Sequence, residues 1–570
     1  MISKYRLLFY SIINTRPSQL YHRLRLLIKR KLLSNLASQS YAQKVALPAE
    51  SNYSLASRLP PALFKPREQF VRASMNNGLE VGFLNVWRPL QRPMNWHPLE
   101  MKKGTRLWLL NLHYMEFIEA LDTKNWFRFI EDWIGANKPY KNGYWLDDWN
   151  SYSLSIRVVV WMQEFERRGR SLSEADKVIF LKSLAAQVRF LKSNLEMDIG
   201  GNHLVKNIKA LLWASQFFEG EEAHRWGRLG SKLLKKALRE QVTSDGVHFE
   251  LSPSYHAQVL ADFLECYSVL DDEGVKSELK IVLPKMAQFL VDTVHPDGMV
   301  SLFGDGGLNM SYAPQECISV FEKLTEAKVL QKKIISYHDA GYFGLRYQDS
   351  LILMDAGELA PRYLPAHGHG DALSFEWSVA GQRVVIDPGV FEYNSGSLRN
   401  FSRSTLSHNT VTLDDEDQSE FWQAFRVGRR ASITSREIKT APESISVIAT
   451  HDGYTRLVGK PMHRRQILMT QHQVKISDSI LDGRGQRATA RLMLAPEIHI
   501  ENVGWQWFLR GEKFNIEIEC DHPIAVEETI CFLNFGHKYT TKQLVVDFGT
   551  TPCSCEMTLT VHQIPDNHTR

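Results

Sequence analysis

The sequence predicts a multidomain α + β chain in which a stack of paired helices, an (α/α) toroid, precedes an antiparallel β-sandwich. At 570 residues the chain is too long for one ordinary core. From about residue 100 to 335, segment after segment carries apolar residues at helical spacing, with short polar or glycine-containing breaks between them. Near residue 340 the period changes to two, and short strand-like runs follow one another toward the end.

Residues 1–95 form a basic N-terminal segment. The first 49 residues carry nine Lys or Arg and no acidic residue. Within them, Gln19–Leu36 sets Leu20, Leu24, Leu27 and Ile28 at helical spacing, with Arg23, Lys29, Arg30 and Lys31 interleaved. Such a helix either lies on an anionic membrane surface or packs on its own protein with a solvated basic face. Pro48, Pro60, Pro61 and Pro66 mark residues 45–70 as a linker or an irregular wrap.

The toroid is assigned to residues 96–338. Ala175–Asn194 places Val178, Leu181, Leu184, Val188 and Leu191 on one face. Leu204–Phe218, Arg225–Leu238, His256–Leu270 and Lys276–Val294 repeat the pattern, and Pro284 is expected to kink or break the last of these. The sandwich is assigned to residues 339–570. Its predicted strands are Tyr342–Tyr347, Ser350–Asp355, Leu373–Val379, Ser444–Thr450, Gln466–Asp478 and Ala488–Leu494. Further strands are predicted at Trp505–Leu509, Phe514–Cys520, Ala525–Leu533 and Met557–His562.

Composition excludes several classes. A net charge of +4 is too mild to point to nucleic acid, so no such partner is expected. No run of about 18 apolar residues exists, so no spanning helix is predicted. The apolar patch Leu7–Ile13 is short and lacks a small-residue cleavage site, so no signal peptide is assigned. Six cysteines are too sparse for a disulfide scaffold, although Cys520 and Cys531 lie in strand-like runs that could pair.

Chemistry concentrates around His367-Gly-His-Gly-Asp371. In an extended segment, His367 and His369 would point to one side, and the glycines between let backbone approach a ligand. Val384–Asp387 reads as a buried strand stopping at a carboxylate, and His408 opens another. His369, Asp387 and His408 on neighbouring strands would suit zinc or a similar divalent metal. The helical half adds three polar islands, Asp198–His203, Glu250–His256 and Phe303–Gly307. Each sits in a loop or at a helix start, where Asn202 and Ser252 could serve simply as caps.

Taken together, these pieces resemble the heparinase II/III-like polysaccharide lyases and related alginate lyases. The resemblance rests on Asn111-Leu-His-Tyr114, Trp149–Arg157, Gly200-Gly-Asn-His203, Phe249–His256, Phe303-Gly-Asp305, His367–Asp371 and Arg403–Asn409, in that order. It implies an incomplete (α/α) toroid followed by a β-sandwich, and β-elimination at a uronic acid within an acidic polysaccharide. It also implies roles. Asn202 and His367 neutralise the uronate carboxylate, and Tyr255 is the acid and, for one epimer, also the base. His203 is the base for the other epimer. A structural metal, zinc, falls to His369, Asp387 and His408, and Glu250, Tyr393 and Arg403 are candidate substrate contacts.

Secreted degradative members of that family open with an evident signal peptide. This chain opens instead on a basic amphipathic stretch, which suits a cytoplasmic protein or one peripheral to a bacterial inner membrane and serving capsule or exopolysaccharide metabolism, with the periplasm as the alternative. Two other readings use the same residues. A toroid can host a glycoside hydrolase with paired carboxylates, here Glu250 and Asp305. The fold can also serve a non-catalytic glycan-binding or biosynthetic accessory protein.

Overall fold

A computed structural model describes residues 4–35, 54–74, 78–98, 106–140 and 143–563. The chain opens with helices α1 (Lys4–Ile13) and α2 (Pro17–Asn35). Residues 36 and 45–53, expected to end the basic helix and to begin the wrap, lie outside the described residues. Residues 54–70 are largely irregular and tied to the toroid by the Ala56 N–H, which donates to the Phe217 carbonyl at 3.0 Å. Where only a wrap was expected, a small antiparallel sheet follows, made of β1 (Val71–Ala73), β2 (Leu79–Phe83) and β3 (Val86–Pro89).

The helical region contains α3 (Arg106–Tyr114), α4 (Trp126–Ala136), α5 (Ser151–Arg168), α6 (Glu174–Ser193), α7 (Gly201–Phe217) and α8 (Glu221–Gln241). It continues with α9 (Pro253–Val269), α10 (Glu273–Thr293) and α11 (Pro314–Thr325). Helices α3, α5, α7 and α9 pack on one another in succession, and α6, α8 and α10 each back onto the helix before them. This is the double ring of an incomplete (α/α) toroid. Sequence separates the rings. Inner α7 is buried on nearly every side, whereas outer α8 buries one stripe, Ala223, Trp226, Gly230, Ser231, Leu234, Ala237, Leu238 and Gln241. Polar caps fix several starts: Asn150 accepts from the Tyr152 and Ser153 N–H groups, Ser173 from Asp176, and Asp272 from Gly274 and Val275. Pro284 does not break α10. It deprives only the carbonyl of Lys280 of its partner, on the exposed side of the helix.

The last of these helices ends at Thr325, and β4 (Ile334–Tyr337) begins the sheets. It forms a five-stranded antiparallel sheet with β5 (Tyr342–Tyr347), β6 (Ser350–Asp355), β7 (Phe375–Val379) and β8 (Gln382–Val385). After helix α12 (Ser397–Arg403) come β9 (Val411–Leu413) and the short hairpin of β10 (Phe421–Trp422) and β11 (Arg426–Val427). The remaining strands run from β12 (Ile433–Ala441) to β22 (Cys553–Gln563), in an eight-stranded sheet and a four-stranded sheet that includes β9. Alternation along β15 (Gln473–Leu481) buries Val474, Ile476, Asp478 and Ile480 while their neighbours are half-exposed.

Two sequence expectations need correction. The run Gln466–Asp478 is two strands, β14 (Met462–Thr470) and β15, because Gln471-His472 makes a turn without glycine or proline. Cys520 and Cys531 do not pair: they lie on β19 (Phe514–Cys520) and β20 (Ile524–Cys531), which belong to different sheets, and Cys520 Sγ sits 3.9 Å from Cys555 Sγ instead.

Toroid and sandwich share a polar seam. Buried His295 reaches Ser378 Oγ at 2.7 Å and Glu376 Oε2 at 2.9 Å, and Tyr342 donates to the Leu251 carbonyl at 2.6 Å. The first two contacts fix the outer face of β7, and the third fixes the loop that leads into α9.

Candidate active site

Asn202 and His203 lie inside the first turn of α7 rather than ahead of it, and the residue capping the helix is Gly200. Gly201 has φ of +54°, and a Cβ there would lie 2.2 Å from Glu250 Oε1. Absence of that carbon lets the Glu250 carboxylate dock on the helix start. It accepts from the Asn202 N–H at 2.8 Å and from Asn202 Nδ2 at 3.0 and 3.2 Å. A carboxylate at a helix N-terminus is favoured by the exposed N–H groups and the helix dipole. Burial would raise the pKa of Glu250, but His367, His248 and the Asn202 bonds outweigh it and hold the group below its ordinary value.

His203 points Nδ1 at Glu196 Oε1, 3.0 Å away, and its ring lies 4.4 Å from that of Tyr152. Burial alone would lower its pKa; the Glu196 carboxylate raises it above 6.5. A proton held on Nδ1 leaves Nε2 as the basic nitrogen.

Ser252 caps α9 by accepting from the Tyr255 N–H, and Pro253 occupies the first helical position. That start orients Tyr255. Its ring stacks on His367 with centroids 3.9 Å apart, and its hydroxyl lies 3.0 Å from that of Tyr393. Burial, then the neighbouring Tyr393 and Asp305, push the Tyr255 phenol well above its ordinary value, so at neutral pH it holds its proton.

Residues 366–371 form a loop rather than the extended segment that the HxH spacing suggested. Both imidazoles nevertheless converge on one carboxylate. Asp305 Oδ2 lies 2.7 Å from His367 Nδ1, and Oδ1 lies 2.8 Å from His369 Nε2. Arg399, from α12, grips both Asp305 oxygens, with Nη2 at 3.0 Å from Oδ2. Burial would raise the Asp305 pKa, but Arg399 and the two histidines hold it well below the usual range. The other nitrogen of His367, Nε2, lies 3.3 Å from Glu250 Oε2. His367 is therefore clamped between two carboxylates, one shared with Asn202 and one with His369.

Behind that clamp, His369, Asp387 and His408 bring ligand atoms within 4.8 Å of one another, all buried. Their surroundings fit a metal. Asp305 occupies His369 Nε2, and buried Nδ1 has no partner; buried Asp387 Oδ1 has none either. His408 Nε2 donates to the Ser402 carbonyl at 3.1 Å, which leaves its Nδ1 lone pair facing Asp387 Oδ2 at 2.9 Å. Two lone pairs facing each other repel, and a divalent cation between them would reverse that. The three residues form a group able to hold a metal ion.

Of the predicted site residues, Asn202, Tyr255, Tyr393 and His367 join one connected cluster, with His203 beside Asn202. Glu250 and Arg403, expected as substrate contacts, are 2% and 1% exposed. Glu250 holds Asn202, and Arg403 donates to the carbonyls of Gly368, Gln423, Ala424 and Arg426. Sequence reading missed Arg399, Glu196, Tyr152 and Phe425, whose ring is 40% exposed and lies 5.4 Å from that of Tyr393. Only Tyr152 had a signal, since it belongs to the motif Trp149–Arg157.

Comparison with known proteins places both halves of the chain in one family. The profile for the heparinase II/III N-terminus matches residues 110–328, and the heparinase II/III-like C-terminal profile matches residues 330–560. A heparin-sulfate lyase of Pedobacter heparinus is 24% identical over 370 residues, 57% of this chain and 54% of that protein. One from Bacteroides thetaiotaomicron is 24% identical over 52% of this chain and 48% of its own length. The chain thus spans about half the length of these curated relatives. A crystal structure of heparinase III superposes with a TM-score of 0.68 at 18% identity, covering 83% of this chain and 80% of that one. A heparan sulfate lyase structure from Pedobacter heparinus gives 0.58, also at 18% identity, over 84% and 80%. At that identity the likeness speaks for the shared toroid-and-sandwich fold. With both halves matched in order, the chain belongs to the heparinase II/III-like family.

Proposed function

We propose that this protein cleaves a uronate-containing acidic polysaccharide by β-elimination. The observation that carries the reading is the Tyr255–His367 stack, joined through Glu250 to Asn202 at the start of α7. The C5 proton of a uronate is weakly acidic until the neighbouring carboxylate is neutralised. His367 Nε2 and Asn202 Nδ2 both face the Glu250 carboxylate, and they donate to the uronate carboxylate, and to the charge that develops on it, by exchanging that partner for the substrate. A base then removes the C5 proton, the C4–O4 bond breaks as the C4–C5 double bond forms, and an acid protonates departing O4.

The raised pKa of the Tyr255 phenol suits it as that acid. His203, with Nδ1 committed to Glu196, offers Nε2 as the base for one epimer. For the other, Tyr255 must first lose its proton to solvent, against the raised pKa of its phenol; as phenolate it takes the C5 proton and returns it to O4 as the C4–O4 bond breaks. Phe425 and Tyr393 offer ring surface for a sugar beside His367.

The buried two-nitrogen, one-oxygen donor set of His369, His408 and Asp387 suits zinc. When bound, the ion would supply an anchor for these side chains. Through Asp305, His369 is in turn coupled to the orientation of His367. The heparin-sulfate lyase relatives support an acidic glycan as substrate; the basic N-terminal helices are the reason we favour bacterial capsule or exopolysaccharide as the polymer class.

The hydrolase reading loses support. Glu250 and Asp305 both face the same imidazole and are 2% and 0% exposed, which leaves no room for a carboxylate pair to flank a glycosidic bond. The test is ultraviolet absorbance of the unsaturated product over heparan-type, hyaluronan-type and alginate-type polymers and the host's own capsule polysaccharide. Wild type should generate absorbance on one of them, and Tyr255→Phe should slow it by about 10²–10⁴-fold. New reducing ends without absorbance would refute elimination.

A further inference from the structure

The two N-terminal helices are inverted relative to ordinary amphipathic packing, in which the apolar face turns inward. Their inner faces are held by polar contacts. On α1, Arg6 pairs with Glu420 at 3.0 Å, and Ser11 Oγ donates to the Val427 carbonyl at 3.1 Å. On α2, Gln19 Nε2 donates to the carbonyl of Asp198 at 3.3 Å and to that of Tyr363 at 3.5 Å, while Lys29 donates to the Ser193 carbonyl at 2.9 Å. Arg16 stacks over Tyr363, 3.6 Å from the ring centre. Leu26 is the one core hydrophobic residue of α2 among those described.

The outer faces are apolar. Tyr5, Leu8, Phe9, Ile12 and Ile13 of α1 are all exposed, at the spacing of one helix face. So are Leu20, Tyr21, Leu24, Leu27, Ile28 and Leu32 of α2. Scattered exposed leucines need no explanation; two consecutive helices each turning a full apolar stripe outward do.

Charge identifies what covers them. No Asp or Glu occurs in the first 49 residues, and Lys4, Arg23 and Arg25 are exposed beside the stripes. A basic, apolar, two-helix face complements an anionic lipid surface, where the stripe enters the headgroup boundary and the cations meet lipid phosphates. A second copy of the chain would bring the same cations to the same patch, so like charge opposes self-association there. We infer that α1 and α2 form a docking surface for an anionic bilayer. None of the described helices is long and apolar enough to cross one, so the contact is peripheral.

The surface adjoins the site. Gln19 ties the backbone just before Gly200–His203 to the loop just before His367, so the docked helices rest on both walls of the active-site region. Docking would hold that region beside the bilayer, where a polysaccharide emerging from or anchored in the membrane could reach it. Only this consequence rests on the lyase reading; the docking surface does not.

The experiment is cosedimentation of the full chain with vesicles of equal phosphatidylglycerol and phosphatidylethanolamine, against vesicles of phosphatidylcholine alone. The expected result is binding to the anionic vesicles, weakened by salt, and little to the neutral ones. The double variant Leu24→Glu with Ile28→Glu alters only outward side chains. It should lower partitioning by about tenfold or more while leaving the thermal transition and turnover of soluble polymer unchanged. Wild type remaining in the supernatant would overturn the inference, as would equal binding of the variant. A dimer in size-exclusion chromatography that the variant dissociates, with no vesicle binding, would overturn it in favour of a contact between copies.

Discussion

Asp305→Asn is the sharpest perturbation of the site, because one buried carboxylate serves three partners. Arg399 and Asp305 are each 0% exposed in their side chains, and the same two oxygens receive His367 and His369. Asparagine keeps the shape, removes the charge and turns one acceptor into a donor. The Arg399 guanidinium is then left buried against an amide, with its Nε still on the Ala424 carbonyl at 2.9 Å. Breaking one side of a buried pair costs about 3–5 kcal/mol. At about 2–4 °C per kcal/mol for a domain of some 150–250 residues, the transition should fall by roughly 6–20 °C. Calorimetry measures this, and turnover at a permissive temperature should fall by about 10²-fold as His367 loses its anchor.

The pH dependence adds a second readout. Asp305 titrates well below the usual carboxylate range when folded, since Arg399 and the histidines outweigh burial. Its stabilisation is complete above the unfolded value of about 3.9 and is lost as pH falls toward the folded one. The gap between wild type and variant should therefore be full at neutral pH and narrow in strong acid. An unchanged transition together with unchanged turnover would refute the coupling.

Three further outcomes are expected. Glu196→Gln removes the carboxylate that raises the His203 pKa; because the base works unprotonated, the acidic limb of kcat/KM should move to lower pH, as a pH–rate profile would record. His408→Ala should abolish near-stoichiometric metal by atomic emission, and chelator should lower the Tm of wild type but not of the variant. Gly201→Ala puts a carbon 2.2 Å from Glu250 Oε1 at a φ of +54°, and should cost about 1–3 kcal/mol and slow turnover. Gly200→Ala is the control: its φ of +74° is strained too, but nothing lies within 4 Å of the added carbon, so the Asn202–Glu250 contact and turnover should survive.

Much of the fold could be read in advance because hydrophobic period is local: β5, β6 and β19 match their predicted runs end to end. Errors arose where local signals were silent or overruled. No glycine marks the turn at Gln471-His472, and the partner lost at Pro284 is an exposed carbonyl. At the site, motifs close in sequence were visible, including the HxH pair. Asp305–Arg399 was not, since 94 positions separate residues that only the packed fold unites. Leu20, Leu24, Leu27 and Ile28 were recognised as a stripe, but spacing cannot tell whether a stripe faces inward; here it faces out.

Elimination itself is tested most directly by running the cleavage in oxygen-labelled water and weighing the products. Elimination predicts products with no label at the cleaved linkage and a new non-reducing end lighter by one water than a hydrolysis product, with formation of both products slowed in Tyr255→Phe. Label at the new reducing end, with fully hydrated products, would contradict it.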